Sequence, residues 1–337
     1  MTQTESLRLL VNLPPTFFTY PLLRPHFERL EKVATVRKAS HDTQEQIAPD
    51  LQWAEAVIMW AWPNLDDAML ANAPDLRFVG QLNTTQTTAR ACLQRGIAIS
   101  EARHCWSPAV AEMALALILC GLRKVSDYHA AMRRAKEEWV VSFPADIDPR
   151  ERELTGRPVG IVGFGRIGQR LAELLRPFRV ELRIHDPYLP EAIAQRYGAK
   201  QVTVKELIRE SDIVVLCAAN TEETRHLVGR EEIAAFRKNS ILVNVGRSML
   251  VDMAALQERL ENGDMMAMSD VFDQEPLEAD SPLRQLSNTY LTPHRAGGLL
   301  SSVERGLTML FDDLEAHLSG EERRYAVTEA TLPCFPD

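Results

Sequence analysis

VGIVGFGRIG, residues 159–168, decides how this 337-residue chain is read. Val159 to Val162 form an apolar run of strand type. Gly163-Phe164-Gly165-Arg166-Ile167-Gly168 follows it as G-x-G-x-x-G. Beyond the glycines, Ile167, Leu171, Leu174, Leu175 and Phe178 recur at helical spacing, so the motif sits on a strand–turn–helix. There each glycine has a task. Gly163 permits a tight turn, Gly165 lets a pyrophosphate reach the backbone, and Gly168 allows close packing of helix on strand. The N–H groups that open the helix, around Arg166 and Ile167, offer phosphate the positive end of the helix dipole. The next strand ends in His185-Asp186. Asp186 lies 18 positions past Gly168, where a carboxylate accepts from the hydroxyls of an adenine ribose and repels a 2′-phosphate. NAD(H) is therefore expected in preference to NADP(H), with Arg183 and Arg196 as the nearby cations able to soften that preference.

Outward from this motif, strands alternate with helices on both sides. Downstream, strands read at Leu182–His185, Asp212–Ala218, Ile241–Val245, Ala267–Val271 and Tyr290–Thr292. Helices fit between them at 167–176, 205–210, 231–236 and 253–262. Upstream, strands read at Leu7–Val11, Val33–Arg37, Ala56–Trp60, Arg77–Leu82 and Ile97–Ile99, and helices at 25–32, 43–47 and 66–72. One long helix is expected over 107–138, apolar on nearly every face in its first half, and a last one from Leu299 to Leu318, stopped at Ser319-Gly320. Alternation of this kind gives parallel sheets and an α/β fold.

Composition narrows the function classes. Lys and Arg total 38 against 47 Asp and Glu, a formal charge of −9. That balance is a poor match for a phosphate backbone, so nucleic acid is not expected as a partner. No apolar run reaches the ~18 residues of a membrane span, and the start MTQTESLRLL lacks a basic region and a long apolar core. A membrane partner is not expected either. The five cysteines (Cys92, Cys105, Cys120, Cys217, Cys334) are scattered without Cys-x-x-Cys, which speaks against a disulfide framework and against a metal site. A reduced, cytoplasmic setting follows.

In an open parallel sheet, ligands bind beyond the carboxyl ends of the strands. The polar residues placed there form one set. The strand 241–245 runs through Val245 and Gly246 into Arg247. The strand at 267 runs into Asp270, with Glu275 five residues on. The strand at 290 runs through Pro293 into His294, with Gly297 beyond it. An imidazole suits proton exchange with a hydroxyl, a carboxylate partner fixes its tautomer, and a guanidinium fork matches a carboxylate. Taken singly, a salt-bridged Arg247 and a capping Asp270 remain open.

These segments, with NVGRSMLVD (244–252), DVFDQEPL (270–277), TPHRAGG (292–298) and VAEMALALIL (110–119), resemble the D-isomer-specific 2-hydroxyacid dehydrogenase family, which includes D-3-phosphoglycerate dehydrogenases and glyoxylate/hydroxypyruvate reductases. The resemblance covers most of the second half. It implies two doubly wound parallel-sheet domains, with a Rossmann NAD-binding domain (103–297) inserted into a flavodoxin-like substrate domain (1–102 and 298–337) and an active cleft between them. It implies a homodimer, a small 2-hydroxy or 2-oxo acid as substrate, Arg247 on the substrate's carboxylate and carbonyl, Glu275 orienting His294, His294 as acid and base, and Asp270 beside the cofactor ring.

The first domain departs from the family. Its glycine-rich loop, roughly G-x-G-x-D-x-I-D, is replaced here by Gly80-Gln81-Leu82-Asn83-Thr84-Thr85-Gln86. Either Asn83, Thr84 and Thr85 bind an unusual acid through their side chains, or the loop takes another turn with its backbone donors intact. Trp60, Trp62, His104 and Trp106 are further candidate substrate contacts. Arg295 favours a doubly charged acid if it turns inward, and is a solvated cation if it does not. Two other functions stay open: an NADH-sensing binding protein on the same scaffold, and a formate- or phosphite-type dehydrogenase.

Overall fold

A computed structural model of the chain describes residues 6–332 and 335; Cys334 lies outside the described residues. The chain divides into two units, Met1–Trp106 with Leu299–Asp337, and Ser107–Gly298. Arg103–Trp106, read from sequence with the cofactor domain, belongs to the first unit. It forms a 3-10 turn whose Cys105 is buried in that unit's core and whose Cys105 carbonyl accepts from Arg305.

The first unit carries β1 (Leu7–Asn12), β2 (Ala34–Ala39), β3 (Ala56–Met59), β4 (Phe78–Gln81) and β5 (Ala98–Glu101). All neighbours are parallel, in the order β2-β1-β3-β4-β5. β3 and β4 are buried along their whole length, as parallel strands covered on both faces are. One face packs on the helix Leu300–Ser319, where a Cβ on Gly80 would lie 3.4 Å from Leu310. That helix ends at Gly320, whose φ of +71° only glycine adopts without strain. The sheet order reverses direction between β1 and β3.

The second unit carries β6 (Pro158–Val162), β7 (Glu181–His185), β8 (Lys200–Gln201), β9 (Ile213–Leu216), β10 (Ile241–Asn244), β11 (Met266–Ser269) and β12 (Thr289–Leu291). They form one parallel sheet ordered β12-β11-β10-β9-β6-β7-β8. Counted within the unit, this is the 3-2-1-4-5-6 order of a Rossmann sheet with a seventh strand added. Val162, Val214, Leu216 and Leu242 turn to one face, with Leu207 and Leu256 from the helices Val204–Glu210 and Met253–Glu261. The helices Ser107–Arg123 and Arg166–Leu175 cover the other face: Cβ atoms on Gly121 and Gly168 would run into Met268 and Ile161.

The expected long helix needs correcting. The long helix expected over 107–138 is two helices, Ser107–Arg123 and Val125–Arg133. They are separated by Lys124 in the left-handed region (φ 50°), with its ammonium 2.7 Å from Asp148. Arg103–Arg123 is long and apolar enough to cross a membrane by length and composition alone, with a mean hydropathy of 1.7, although Glu112 breaks its apolar run. Only 107–123 of it is α-helix, and there Ala111, Ala114, Ile118 and Leu122 are fully buried, as in a core helix.

Candidate active site

The cofactor cradle follows from backbone geometry. Gly163 has φ +85°, and a Cβ there would lie 2.4 Å from the backbone of Ala218, in the crevice where the sheet order reverses between β6 and β9. A Cβ on Gly168 would meet the Gly163 carbonyl at 2.5 Å. Gly165 faces open space, and as N-cap of the helix Arg166–Leu175 it leaves the first turn without a side-chain cap. Uncapped N–H groups beside an open glycine suit a pyrophosphate. Asp186 closes the same turn: its carboxylate accepts from the N–H of Phe164 at 2.8 Å and of Tyr188 at 3.1 Å. Arg183 does not offset it, being held by Glu210 at 2.9 Å. These residues fit a dinucleotide: a cradle, donors for the phosphates and an acid for the ribose.

The polar set sits at the carboxyl ends of three adjacent strands, β10, β11 and β12, which run in register (Asn244 beside Ser269, Ser269 beside Leu291). His294 Nδ1 lies 2.6 Å from Glu275 Oε2, and Glu275 Oε1 accepts from the Phe272 N–H at 2.9 Å. Burial pushes the Glu275 carboxyl up. The His294 bond, the Phe272 N–H and the charges of His294 and Arg247 outweigh it and hold the group below the usual carboxylate range. Nδ1 is thus occupied, which leaves Nε2 of a half-exposed ring for other work.

Asp270 is 1% exposed, and its oxygens are committed to the loop that carries His294. Oδ1 accepts from the Thr292 hydroxyl (2.5 Å) and the Arg295 N–H (2.9 Å), and Oδ2 from the Ala296 N–H (2.9 Å). Its carbonyl takes the His294 N–H at 2.9 Å. This buried anion holds His294 at φ +50°, a costly conformation for a residue with a side chain. Gly297 follows directly, half-buried. Asn244, 2% exposed, does the same for Arg247: its Oδ1 accepts from Gly246 N–H and its Nδ2 donates to the Arg247 carbonyl. Val245 between them is buried, while Arg247 itself is exposed and gives one N–H to the Gly246 carbonyl at 2.8 Å. Asn244 and Thr292 were not singled out from sequence. The available signal was a short polar residue closing an apolar strand just before a functional turn. Arg295 is exposed, with no hydrogen bond or ion pair to its guanidinium among the described residues.

In the first unit the replaced loop spends its side chains internally. Trp106 Nε1 donates to Asn83 Oδ1 (2.8 Å), the buried Thr84 donates to the Gln81 carbonyl (3.3 Å), and Thr85 caps the helix Gln86–Gln94. The backbone N–H groups of Asn83 and Thr84 meet no acceptor among the described residues. Of the two readings of this loop, that pattern favours intact backbone donors. Trp60 packs edge-on against Phe17, Trp62 and Trp106. His104 is engaged with Glu101 (3.3 Å) and Tyr325. Among the described residues, no cluster of His, Cys, Asp and Glu suits a metal.

Residues 115–296 match the family model "D-isomer specific 2-hydroxyacid dehydrogenase, NAD binding domain". The chain is 34% identical over 298 residues to a glyoxylate/hydroxypyruvate reductase B of Yersinia pestis, covering 86% of this chain and 89% of that one. It is 29% identical over 323 residues to a D-3-phosphoglycerate dehydrogenase of Methanocaldococcus jannaschii, and spans 59% of that longer protein while matching over 94% of its own length. The crystal structure of a phosphoglycerate oxidoreductase from Rhizobium etli superposes with a TM-score of 0.79 at 26% identity, over 95% of this chain and 97% of that one. The chain belongs to the D-isomer-specific 2-hydroxyacid dehydrogenase family, whose relatives named here are oxidoreductases, and its second unit is that family's NAD-binding domain.

Proposed function

We propose that this protein interconverts a D-2-hydroxy acid and its 2-oxo acid with NAD(H), by the overall reaction 2-oxo acid + NADH + H⁺ ⇌ 2-hydroxy acid + NAD⁺. The observation that carries the reading is the 2.6 Å contact between His294 Nδ1 and Glu275 at the carboxyl edge of the NAD-binding sheet. When bound, the nicotinamide gives or takes the hydride at C2. Gly163, Gly165, Gly168 and the N–H groups at Arg166 and Ile167 hold the pyrophosphate, Asp186 the ribose, and Val245, Gly246 and Gly297 border the cofactor. His294 Nε2 gives a proton to the C2 oxygen in reduction and takes it back in oxidation. Glu275 keeps the tautomer that makes Nε2 available and balances the imidazolium. The Arg247 fork fits the acid's carboxylate. Asn83, Thr84 and Trp60 are the first unit's substrate residues in this reading, the first two through backbone N–H groups. Asp270 acts on the site by fixing the loop that carries His294.

The test is NADH consumption with glyoxylate, hydroxypyruvate, 3-phosphohydroxypyruvate, 2-oxoglutarate and branched 2-oxo acids, each repeated with NADPH. Turnover with NADH above NADPH is expected. Tight NADH binding with no turnover of any acid would instead favour a sensor, and turnover of formate or phosphite alone would favour the one-centre anion dehydrogenases. A homodimer in a reducing, cytoplasmic setting completes the reading. Supporting it are an exposed apolar arm (Trp139, Val140, Val141, Phe143) and the free thiols of Cys92, Cys105, Cys120 and Cys217.

A further inference from the structure

A cluster of cations lies at the edge of the second unit's sheet opposite the candidate active site. β10, β9 and β6 are parallel neighbours, so their amino ends open on one edge. Arg157 stands just before β6, Asp212 just before β9, and Arg237 and Lys238 just before β10. Asp212 holds two of these cations: Arg157 Nη1 lies 3.0 Å from Oδ2, and Arg237 Nη1 3.0 Å from Oδ1. Arg152 reaches the same edge from the loop that precedes β6. Its Nη2 donates to the carbonyl of Asn239, the residue after Lys238. Arg152 forms no ion pair among the described residues, and its buried Nε has no hydrogen-bond partner there. Lys238 is exposed and likewise has no ion pair among the described residues. The neighbouring acids do not offset these charges. Glu153 joins the group through its carbonyl, which accepts from Arg157 Nε at 2.5 Å. Asp264, whose carbonyl takes the Asn239 N–H, has its carboxylate 3.0 Å from Arg259.

Four cations thus share one carboxylate, in a chain whose formal charge is −9. Burial, and then the charges of Arg157 and Arg237, work against the charged form of Arg152, and Asp212 works for it. Cations gathered at one place repel each other and draw an anion. Guanidinium forks match the oxygens of an oxyanion, and a buried donor left without a partner marks a place where an ion or water is missing from the account.

We infer that the amino edge formed by Arg152, Arg157, Arg237 and Lys238 binds a free multivalent oxyanion such as inorganic phosphate. The site is separate from the dinucleotide cradle and from the His294–Glu275 pair, which lie at the carboxyl ends of the same strands. The inference stands on the second unit alone and does not depend on the reaction proposed above.

The experiment follows thermal unfolding of the full chain in about 20 mM phosphate and in chloride at the same ionic strength, each with and without NADH. Phosphate binding with a Kd of about a millimolar should raise Tm by about 3 °C or more over chloride. NADH, which fills the cradle, should leave that rise in place. In Arg152→Gln and in Arg237→Gln the rise should shrink to about 1 °C or less. Arg237→Gln, at an exposed position, decides the matter if Arg152→Gln does not fold. Calorimetric titration of phosphate into the NADH-saturated protein should show one site in the wild type and none in Arg237→Gln. A rise that vanishes with NADH puts the phosphate in the cradle and overturns the site. An equal rise in the wild type and both variants reflects exclusion of the salt from the surface and overturns it as well. So does a wild type that responds to phosphate no more than to chloride.

Discussion

At the scale of single residues, the proposed chemistry falls to one carboxylate and one imidazole, Glu275 and His294, and the buried Asp270 is bonded to the loop that carries His294. Glu275 is held ionised by His294, Phe272 N–H and Arg247 against the penalty of burial. Its folded pKa lies below its unfolded value. The stabilisation it gives is therefore present above the ordinary glutamate value of about 4.3 and is lost as pH falls through the lower folded value. Glu275→Gln should then be less stable than wild type at pH 7, with the gap closing below about pH 4 in denaturant titrations. In kinetics the same variant loses the charge that stabilises the imidazolium. Its reduction rate should fall by about tenfold or more while the Kd for NADH stays near that of the wild type, whereas a variant that merely loosened the fold would lose both. Asp270→Asn tests the loop anchor. One of its oxygens becomes a donor facing backbone N–H groups, so kcat should drop by about tenfold or more while the Kd for NADH changes little. A large change in Kd with kcat preserved would assign Asp270 to the cofactor instead.

At the scale of elements, the glycine turn after β6 makes a paired prediction. Gly163→Ala puts a methyl 2.4 Å from the Ala218 backbone at φ +85°, and should cost about 3 kcal/mol or more in unfolding free energy. Gly165→Ala meets open space at a negative φ. It should leave the melting temperature nearly unchanged and weaken NADH binding. Equal effects on Tm would contradict the division of labour between the two glycines. The same turn was legible in sequence because the strand, three glycines and helical spacing agree with one another. So were Arg247, Glu275 and His294, because parallel strands deliver their last residues to one edge. Other elements were not legible. The helix Gln86–Gln94 hides in a threonine-rich run whose capping by Thr85 looks like loop chemistry, and β8 is two polar residues at the sheet's margin. The break at Lys124 leaves no mark in composition, because an apolar helix passes directly into a polar one. Asp270 stands out in sequence as a strand-end acid, but its bonds to Thr292, Arg295 and Ala296 reach 22 to 26 positions along the chain and leave no local pattern.

At the scale of the whole molecule, the proposed reading divides the work between two parallel-sheet units: one with a glycine-rich turn and the His294–Glu275 pair, the other with the backbone N–H groups of Asn83 and Thr84, which meet no acceptor among the described residues. The second unit also presents Trp139, Val141 and Phe143 at 68%, 87% and 79% exposure, with Val125, Tyr128 and Met132 on one face of the helix Val125–Arg133. Apolar surface of that kind is commonly covered by another chain. Sedimentation at micromolar concentration should show a dimer for the wild type and a shift toward monomer for Val141→Asp, and a wild-type monomer would contradict the dimer. The central claim is that His294, backed by Glu275, moves the proton during hydride exchange. Its most direct measurement is pre-steady-state NADH oxidation by His294→Ala alongside NADH binding by the same variant. The account predicts a Kd for NADH near that of the wild type and a turnover rate lower by about a hundredfold to ten-thousandfold. His294→Ala that binds NADH and still reduces a 2-oxo acid at close to the wild-type rate would contradict it.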